Sequence, residues 1–298
     1  MPLQQLVEYF NDRLEWEHHT RLRPFLLKEG LVQGLFGPIR TGTHLEAVRE
    51  THNPARILGY AAGLQVATNE IPQLQNHELE LILSLPSQPS INPDSIINFD
   101  RLTRTVHMLN FLPHSHEPVF LQLEVDPRHV LGVKKDHGAY FQEVITKCGL
   151  ETGNIVIALR LSSDYAQYYQ ALMTGLENYR KRGYRLTLQF DYPVLSSGSA
   201  QALISVLSPD WVEVSAKGFS EIKDSGLSQK LQQTQRLAAS AGAHSVLSDI
   251  NDQEIDSLAC DSGFEAVAGS YYQTNDPAWT GDVARLAQAR RANFYQRE

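Results

Sequence analysis

The stretch NIVIALRLSSDYAQYYQALMTGLENYRKRGYRLTLQF (Asn154–Phe190) decides the fold class of this chain. It opens with the short apolar run NIVIALRL and closes with RLTLQF, and both runs are typical of buried strands. Between them, apolar side chains recur at three- and four-residue steps from Tyr165 to Tyr179, which predicts a helix with one apolar face. A strand, a helix and a second strand in this order predict a βαβ unit with two parallel strands.

The same alternation continues along the chain. Further strands are predicted at VFLQLEV (Val119–Val125), WVEVS (Trp211–Ser215) and HSVLS (His244–Ser248), and a helix is predicted from Leu231 to Ala241. No G-x-G-x-x-G motif follows the first strand, which argues against a dinucleotide-binding fold. An α/β barrel needs about 250 residues, and the chain has 298. We therefore predict one barrel rather than two domains.

Both ends of the chain show helical periodicity. An apolar stripe at the start predicts a helix that either packs on the barrel or binds a partner. The stripe consists of Leu3, Leu6, Val7, Phe10 and Leu14. The pattern at Asp282–Glu298 predicts a last amphipathic helix with its arginines late in it. We expect an N-terminal helix over 1–19, a barrel over 20–280 and a helical tail over 281–298.

The composition excludes several classes of protein. With 42% hydrophobic residues the chain can bury a core, and no apolar run reaches the length of a membrane helix. The start has no secretory signal, and two cysteines give no disulfide framework, so we expect a cytoplasmic protein. The chain carries 26 Lys and Arg against 34 Asp and Glu, a net charge of −8, which argues against nucleic-acid binding.

Common catalytic and metal-binding motifs are absent from the sequence. There is no P-loop, H-E-x-x-H, C-x-x-C or G-x-S-x-G motif. The close histidine pairs are His18-His19 and His114-x-His116, and no cysteine or carboxylate cluster completes a zinc site beside either pair. We therefore predict no metal site and no cofactor.

Several segments, in their common order and spacing, resemble the EAL domain of bacterial cyclic di-GMP phosphodiesterases. Among them, RILGYAAGL falls where the family has G-x-E-A-L, and NIVIAL falls on the I-V-I-E-I strand. The similar segments are LRPFLLKEGLVQGLFGPI (Leu22–Ile39), RILGYAAGL (Arg56–Leu64), FDRLTRTVHMLNFL (Phe99–Leu112), LEVDPRHV (Leu123–Val130), YRKRGYRLTLQFDYPVLSS (Tyr179–Ser197), SPDWVEVS (Ser208–Ser215), VLSDINDQE (Val246–Glu254) and AVAGSYY (Ala266–Tyr272). The resemblance implies a (β/α)8 barrel of the TIM type with an antiparallel first strand, to which helices are added at both ends.

The resemblance also implies a site for two divalent cations at the C-terminal face of the barrel. Ala61 stands at the glutamate of E-A-L and Ala158 at the glutamate of I-V-I-E-I, and a methyl group offers a cation no lone pair. The other family positions are occupied by Glu124, Gln189, Phe190, Glu213, Ser215, Asp249, Asp252 and Ala268. Because only the last two carboxylate positions, Asp249 and Asp252, keep an acid, we predict that the chain is not an active phosphodiesterase.

Two alternatives retain the family's ligand. In the first, a displaced metal site is rebuilt from Glu124, Asp191, Glu213 and Asp249. In the second, the chain binds cyclic di-GMP without hydrolysis. The family's ligand-binding glutamine aligns with Gly37 and its arginine with Gln65, while Arg40 and Arg160 are the basic residues close to these motifs. Asp191 is shifted by one place from the family aspartate, which in a strand points its side chain to the opposite face.

The main prediction is a regulatory protein that acts through a protein partner, for example in the control of motility or biofilm genes. The insertion Arg40–Pro54 is a candidate surface, and we expect a small helix there with Leu45, Val48 and Thr51 on one side. The resemblance also implies a homodimer that pairs through the helix and loop after the D-D-F-G position. The corresponding loop, Asp191–Ser199, has diverged, which argues against the family's dimer.

Overall fold

Eight strands close a barrel in the computed structural model, which describes residues 2–18, 23–68, 93–133, 138–222 and 226–273. The described residues form ten strands, of which β3 to β10 close the barrel: β1 (Phe25–Lys28), β2 (Leu31–Phe36), β3 (Ile39–Glu50), β4 (Asn53–Ala67), β5 (Phe120–Glu124), β6 (Ile155–Leu161), β7 (Arg185–Phe190), β8 (Trp211–Ser215), β9 (His244–Ser248) and β10 (Ala266–Val267). Strands β4 to β10 run parallel in chain order, and β3 pairs antiparallel with both β4 and β10. The predicted barrel with one antiparallel strand is confirmed.

Helices cover the outside of the barrel. They are α1 (Leu3–His18), α2 (Pro93–Phe111), α3 (Pro127–Gly132), α4 (Ala139–Cys148), α5 (Tyr169–Arg180), α6 (Tyr192–Ser196), α7 (Ser199–Leu207), α8 (Leu227–Ser240), α9 (Gln253–Ser262) and α10 (Ser270–Gln273). Outward side chains of the strands, such as Ile155, Ile157 and Leu159, are at most 1% exposed beneath them. None of the helices in the described ranges is both long enough and apolar enough to cross a membrane.

The strands predicted from short apolar runs are confirmed. Those at 185–190, 211–215 and 244–248 have the predicted bounds. The strand predicted at 119–125 is one residue shorter at each end, and that predicted at 154–161 begins one residue later. The reason is that helices cover β5 to β9 on the outside, so the outward residues of these strands are mostly apolar and buried. The helix predicted around Leu231–Ala241 is α8.

The prediction of a small helix in 40–54 is wrong. These residues form β3, the turn after it and the start of β4, with Leu45 opposite Ala62 and Val48 opposite Gly59. Val48 points into the barrel and is 3% exposed. Leu45, three residues earlier in the same strand, therefore lies on the opposite face, and the two do not form one side of a helix. The segment is therefore a barrel strand and not a surface insertion.

The resemblance aligns Leu22–Ile39 with the family's first helix and first strand. The structure instead has β1 and β2 there, as a hairpin outside the closed barrel. Gly37 lies in the turn between β2 and β3 with φ +58°, a left-handed conformation that glycine adopts without strain. The loop expected at 191–199 contains α6 and the first residue of α7.

The N-terminal helix packs on the hairpin and on α4. Leu6, Val7 and Phe10 are at most 3% exposed. Asn11 Nδ2 donates to the Phe25 carbonyl at 2.8 Å and Asn11 Oδ1 accepts from the Phe25 amide at 2.9 Å, so one side chain pairs with the outer edge of β1. The packing alternative for this helix is therefore the one observed. The predicted tail at 281–298 lies outside the described residues.

Truncation of Phe10 to alanine should lower the free energy of unfolding by about 3 kcal/mol, since a buried ring is replaced by a cavity. Phe10 is 3% exposed and packs edge-to-face on Phe25, with the ring centroids 6.4 Å apart. Urea denaturation measures the change. Trp16→Ala on the same helix is the matched control, because Trp16 is 76% exposed and its loss should change stability by about 0.5 kcal/mol or less. An equal loss in both variants would contradict the packing described for α1.

Candidate functional site

The C-terminal ends of the parallel strands meet at one end of the barrel, where working residues of this architecture lie. Below this end the interior is apolar, with Phe120, Val156, Trp211 and Val246 packed together. Above this layer the inward side chains become polar. We call this polar end the barrel mouth; its side chains are Glu46, Gln122, Glu124, Arg160, Gln189, Glu213, Ser215 and Asp249.

Two amides hold a buried carboxylate in the mouth. Glu213 on β8 is 8% exposed, and its Oε2 accepts from Gln122 Nε2 at 2.7 Å and from Gln189 Nε2 at 3.0 Å. Gln122 Oε1 in turn accepts from Thr187 Oγ1 at 3.0 Å. These neutral donors stabilise the charge that burial disfavours.

A second carboxylate lies at the end of β9. Asp249 Oδ2 accepts from Ser215 Oγ at 2.5 Å. The backbone of Asp249 is left-handed, with φ +60°, a conformation that aspartate tolerates better than most residues. The turn therefore directs the Asp249 side chain back toward the adjacent strand β8.

An ion pair closes the side of the mouth near β5 and β6. Arg160 Nε and Nη2 donate to the two carboxylate oxygens of Glu124, both at 3.3 Å. Glu124 raises the pKa of Arg160 above its ordinary value, and Glu213 and Asp249 raise it further. The guanidinium therefore lies within the electrostatic reach of three carboxylates.

Like Gln122, Glu46 is a mouth residue that sequence reasoning missed. It lies opposite Ala61 in the β3–β4 pairing. Burial raises the pKa of Glu46 to about 7, helped by the negative charges of Asp249 and Glu213. The alternation of His44, Glu46 and Val48 was the available signal, because alternate residues share one face of a strand.

Short helix α10 contacts the same side of the mouth. Gln273 Nε2 lies 3.1 Å from His44 Nε2 and donates to Glu46 Oε1 at 3.5 Å. Burial lowers the pKa of His44, so its ring is neutral near pH 7 and does not compensate the carboxylates.

Glu46→Gln should stabilise the fold at alkaline pH and have little effect near pH 4.5. The folded-state pKa of Glu46, about 7, lies above its ordinary 4.5, so the native carboxyl resists ionisation. The wild type therefore loses stability as pH rises from 4.5 through about 7. Solvent screens part of the charge of Glu46, so the free energy of unfolding of the variant should exceed that of the wild type by about 1–2 kcal/mol at alkaline pH.

Thermal unfolding as a function of pH measures this gain. Glu221→Gln, an exposed site outside the mouth, is the control and should leave the pH profile unchanged. A Glu46→Gln profile that parallels the wild type at every pH would show that Glu46 ionises normally.

The structure does not bring every expected site residue to the mouth. Asp191 accepts from the Val194 amide at 3.0 Å and caps α6, and Asp252 accepts from the Ile255 amide at 2.9 Å and caps α9. Phe190 points outward into the core under the helices, 1% exposed. Their roles are local, since a capping side chain pairs with the first turn of its own helix.

The remaining expected residues divide between barrel and hairpin. Ala158 and Ala268 line the interior and are at most 2% exposed, and Ala61 packs against the same cluster. Gln65 lies opposite Gly42, and Arg40 opposite Ala67, on the part of the β3–β4 hairpin that extends past the β5 pairing. Of the candidate ligand-binding residues Arg40, Gln65, Arg160 and Asp191, Arg160 is the one in the mouth.

The mouth does not fit a pair of divalent cations. Such ions need several carboxylate oxygens in a defined geometry. The Glu213, Asp249 and Glu124 carboxylates already accept hydrogen bonds from protein donors. Ala61 and Ala158 contribute methyl groups. Within the described ranges, no group of three or more His, Cys, Asp or Glu side chains is arranged to hold a metal ion.

A cavity of about 550 Å³ lies beside the mouth, between α2 and the ends of β4 to β6. Phe99 and Tyr165 contribute aromatic walls, and Glu124 and Arg160 form the border with the mouth. Asp100 also lines it; burial raises the pKa of Asp100, but Arg104 and His129 hold it below its ordinary value. The cavity is therefore mixed in character, with paired charges and an apolar wall.

Comparison with known proteins addresses the fold. No protein-family model matches the chain, and no curated protein matches it. Among solved structures, it is similar to Klebsiella pneumoniae BlrP1 in a manganese/cy-diGMP complex, with a TM-score of 0.62 and 15% identity, over 83% of this chain and 59% of that one. The chain thus spans about three fifths of that protein.

Two further structures show the same likeness. The Xanthomonas citri FimX EAL domain in complex with c-diGMP has a TM-score of 0.60 and 13% identity, covering 90% of this chain and 91% of that one. The Bacillus subtilis YkuI protein, with an EAL domain, in complex with substrate c-di-GMP and calcium, has a TM-score of 0.57 and 17% identity, covering 76% and 52%. At these identities the likeness concerns architecture, and the chain has the barrel fold of EAL domains.

Proposed function

We propose that this chain is a regulatory protein of EAL fold that does not hydrolyse cyclic di-GMP and acts by binding a protein partner. The setting would be bacterial signalling of the kind that controls motility or biofilm formation. One observation carries the proposal. Where the family would have metal-binding glutamates, the mouth has the methyl groups of Ala61 and Ala158, and its carboxylates accept hydrogen bonds from other side chains of the protein.

The chemistry of the mouth is unsuited to hydrolysis of a phosphodiester. Metal-assisted attack on a phosphodiester needs cations that activate a water and neutralise the phosphate. Here Arg160 neutralises Glu124, and the Glu213 carboxylate is held by Gln122 and Gln189. A dianionic ligand brought to the mouth without cations would meet Glu46, Glu213 and Asp249, which repel it.

Support for a protein partner comes from the N-terminal part of the chain. On the β1–β2 hairpin, Leu26 and Leu31 share the outward face and are 43% and 58% exposed. Trp16 on α1 is 76% exposed. Groups of solvent-exposed large apolar side chains are frequent in protein-binding surfaces, whereas isolated ones also occur on ordinary protein surfaces.

The hydrolysis claim is tested with cyclic di-GMP and Mn²⁺ or Mg²⁺. The wild type and Asp249→Ala should both give product at the level of the blank. Linear product formation by the wild type that disappears in Asp249→Ala would instead establish a rebuilt metal site.

The partner claim is tested by affinity capture from the host lysate. A protein retained by the wild type should be lost from Trp16→Ala/Leu31→Ala. Val206→Ala is the matched control, since Val206 is 67% exposed on α7. If the wild type and both variants retain the partner equally, the surface around Trp16 and Leu31 is not the docking surface.

A cyclic di-GMP receptor without turnover is the second candidate, because the cavity beside Arg160 has aromatic walls and the similar structures are named as dinucleotide complexes. Calorimetry separates the two. Our proposal expects no saturable heat at high micromolar ligand. Saturable binding that is lost in Arg160→Met would favour the receptor.

A further inference from the structure

The mouth carries an excess of negative charge. Of the described side chains that define it, Arg160 alone is cationic, and its fork is engaged by Glu124. Glu46, Glu213 and Asp249 are close enough for the last two to raise the pKa of the first. Such mutual repulsion favours a ligand that brings positive charge.

An unpaired acceptor lies in the same place. Gln189 is 6% exposed, and its Nε2 donates to Glu213, which fixes the orientation of the amide in the mouth. The Oε1 atom of that amide is buried and has no hydrogen-bond partner among the described residues. A buried acceptor without a donor is destabilising, so a group with N–H donors would be favoured here.

The side chains of the mouth suit an organic cation better than a divalent metal ion. A divalent metal needs oxygen ligands on several sides, which Ala61 and Ala158 cannot supply. An ammonium or guanidinium group needs acceptors at hydrogen-bond distance and tolerates a one-sided arrangement. Three carboxylates and one amide oxygen form such a set, with an apolar layer beneath them.

We propose that the barrel mouth binds an alkylammonium or alkylguanidinium group, which is held by Glu46, Asp249 and Gln189. The group belongs to a free amine or to a lysine or arginine side chain of the partner. The inference rests on the proposed function in one respect, which is that the mouth works without metal ions.

Calorimetric titration of the full chain with agmatine, which carries both cationic groups, tests this near pH 8, where carboxylates are charged. Saturable binding is expected. Asp249→Asn and Gln189→Met should each weaken it by about tenfold. Glu254→Gln, an exposed position on α9, is the matched control and should bind as the wild type does.

Absence of saturable heat up to about 10 mM agmatine, or an equal loss of affinity in the control variant, would overturn the inference. A capped arginine peptide that binds more tightly than agmatine would support a partner side chain as the source, and the reverse order would support a free amine. The outcome is separable from hydrolysis, because product formed from cyclic di-GMP would refute the proposed function whatever the agmatine titration gives.

Discussion

Replacing Arg104 with methionine is expected to lower the free energy of unfolding by about 3–5 kcal/mol, because it leaves a buried carboxylate without its cation. Arg104 is 1% exposed and pairs with Asp100, which is 7% exposed. Its guanidinium also donates to the Tyr179 hydroxyl at 3.3 Å and lies 4.2 Å from the ring centroid of Phe141. Methionine fills part of the volume but removes every one of these polar contacts.

Urea denaturation near neutral pH gives the magnitude. The double variant Asp100→Asn/Arg104→Met should recover part of the loss, since the unpaired charge is gone. Arg101→Met is the matched control, one turn away on α2 and only partly buried. A single variant as stable as the wild type would show that the Asp100 carboxylate does not depend on Arg104.

Gly269→Ala should be the most damaging of the small substitutions, with a loss of more than about 4 kcal/mol. A Cβ at Gly269 would lie 2.1 Å from the Ile250 carbonyl oxygen and 2.4 Å from the Ile250 nitrogen. Its φ is +153°, which side chains rarely adopt. Because the clash is with backbone, the turn that carries Asp249 must move, and the mouth would be distorted with it.

The measurement is thermal or urea unfolding, together with the agmatine titration for any folded variant. Gly153→Ala is the control, because a Cβ there meets nothing within 4 Å and φ is ordinary. It should change stability by about 0.5 kcal/mol or less. A folded Gly269→Ala variant of normal stability would contradict the close approach of the two segments.

The sequence predicted the parallel part of the barrel because these strands are short runs, rich in apolar residues, between segments of helical periodicity. Runs such as IVIALRL and RLTLQF have no competing helical period and are bounded by turn residues. Strand β3 is different, since THLEAVRE alternates polar and apolar side chains and also satisfies a helical spacing. Its polar residues His44 and Glu46 lie on the mouth side, an orientation that is known only once the barrel is closed.

The site was harder to predict than the fold. Aspartates next to strand ends were candidate ligands, yet Asp191 and Asp252 bind the first turns of the helices that follow. A carboxylate at such a position suits both a cation site and a helix cap. Glu213 and Gln189 lie in the mouth at positions that the family resemblance assigned to the site, but the hydrogen bond between them depends on side-chain geometry that an alignment of motifs does not encode.

The pairing of Asn11 with Phe25 has a consequence for association between copies of the chain. Strand β1 is the outermost strand of the sheet, and an uncovered outer strand recruits strands from other molecules. The Asn11 side chain satisfies both backbone groups of Phe25 and so occupies the position where a foreign strand would begin to pair. We therefore expect a fragment without the N-terminal helix to self-associate more readily than the full chain.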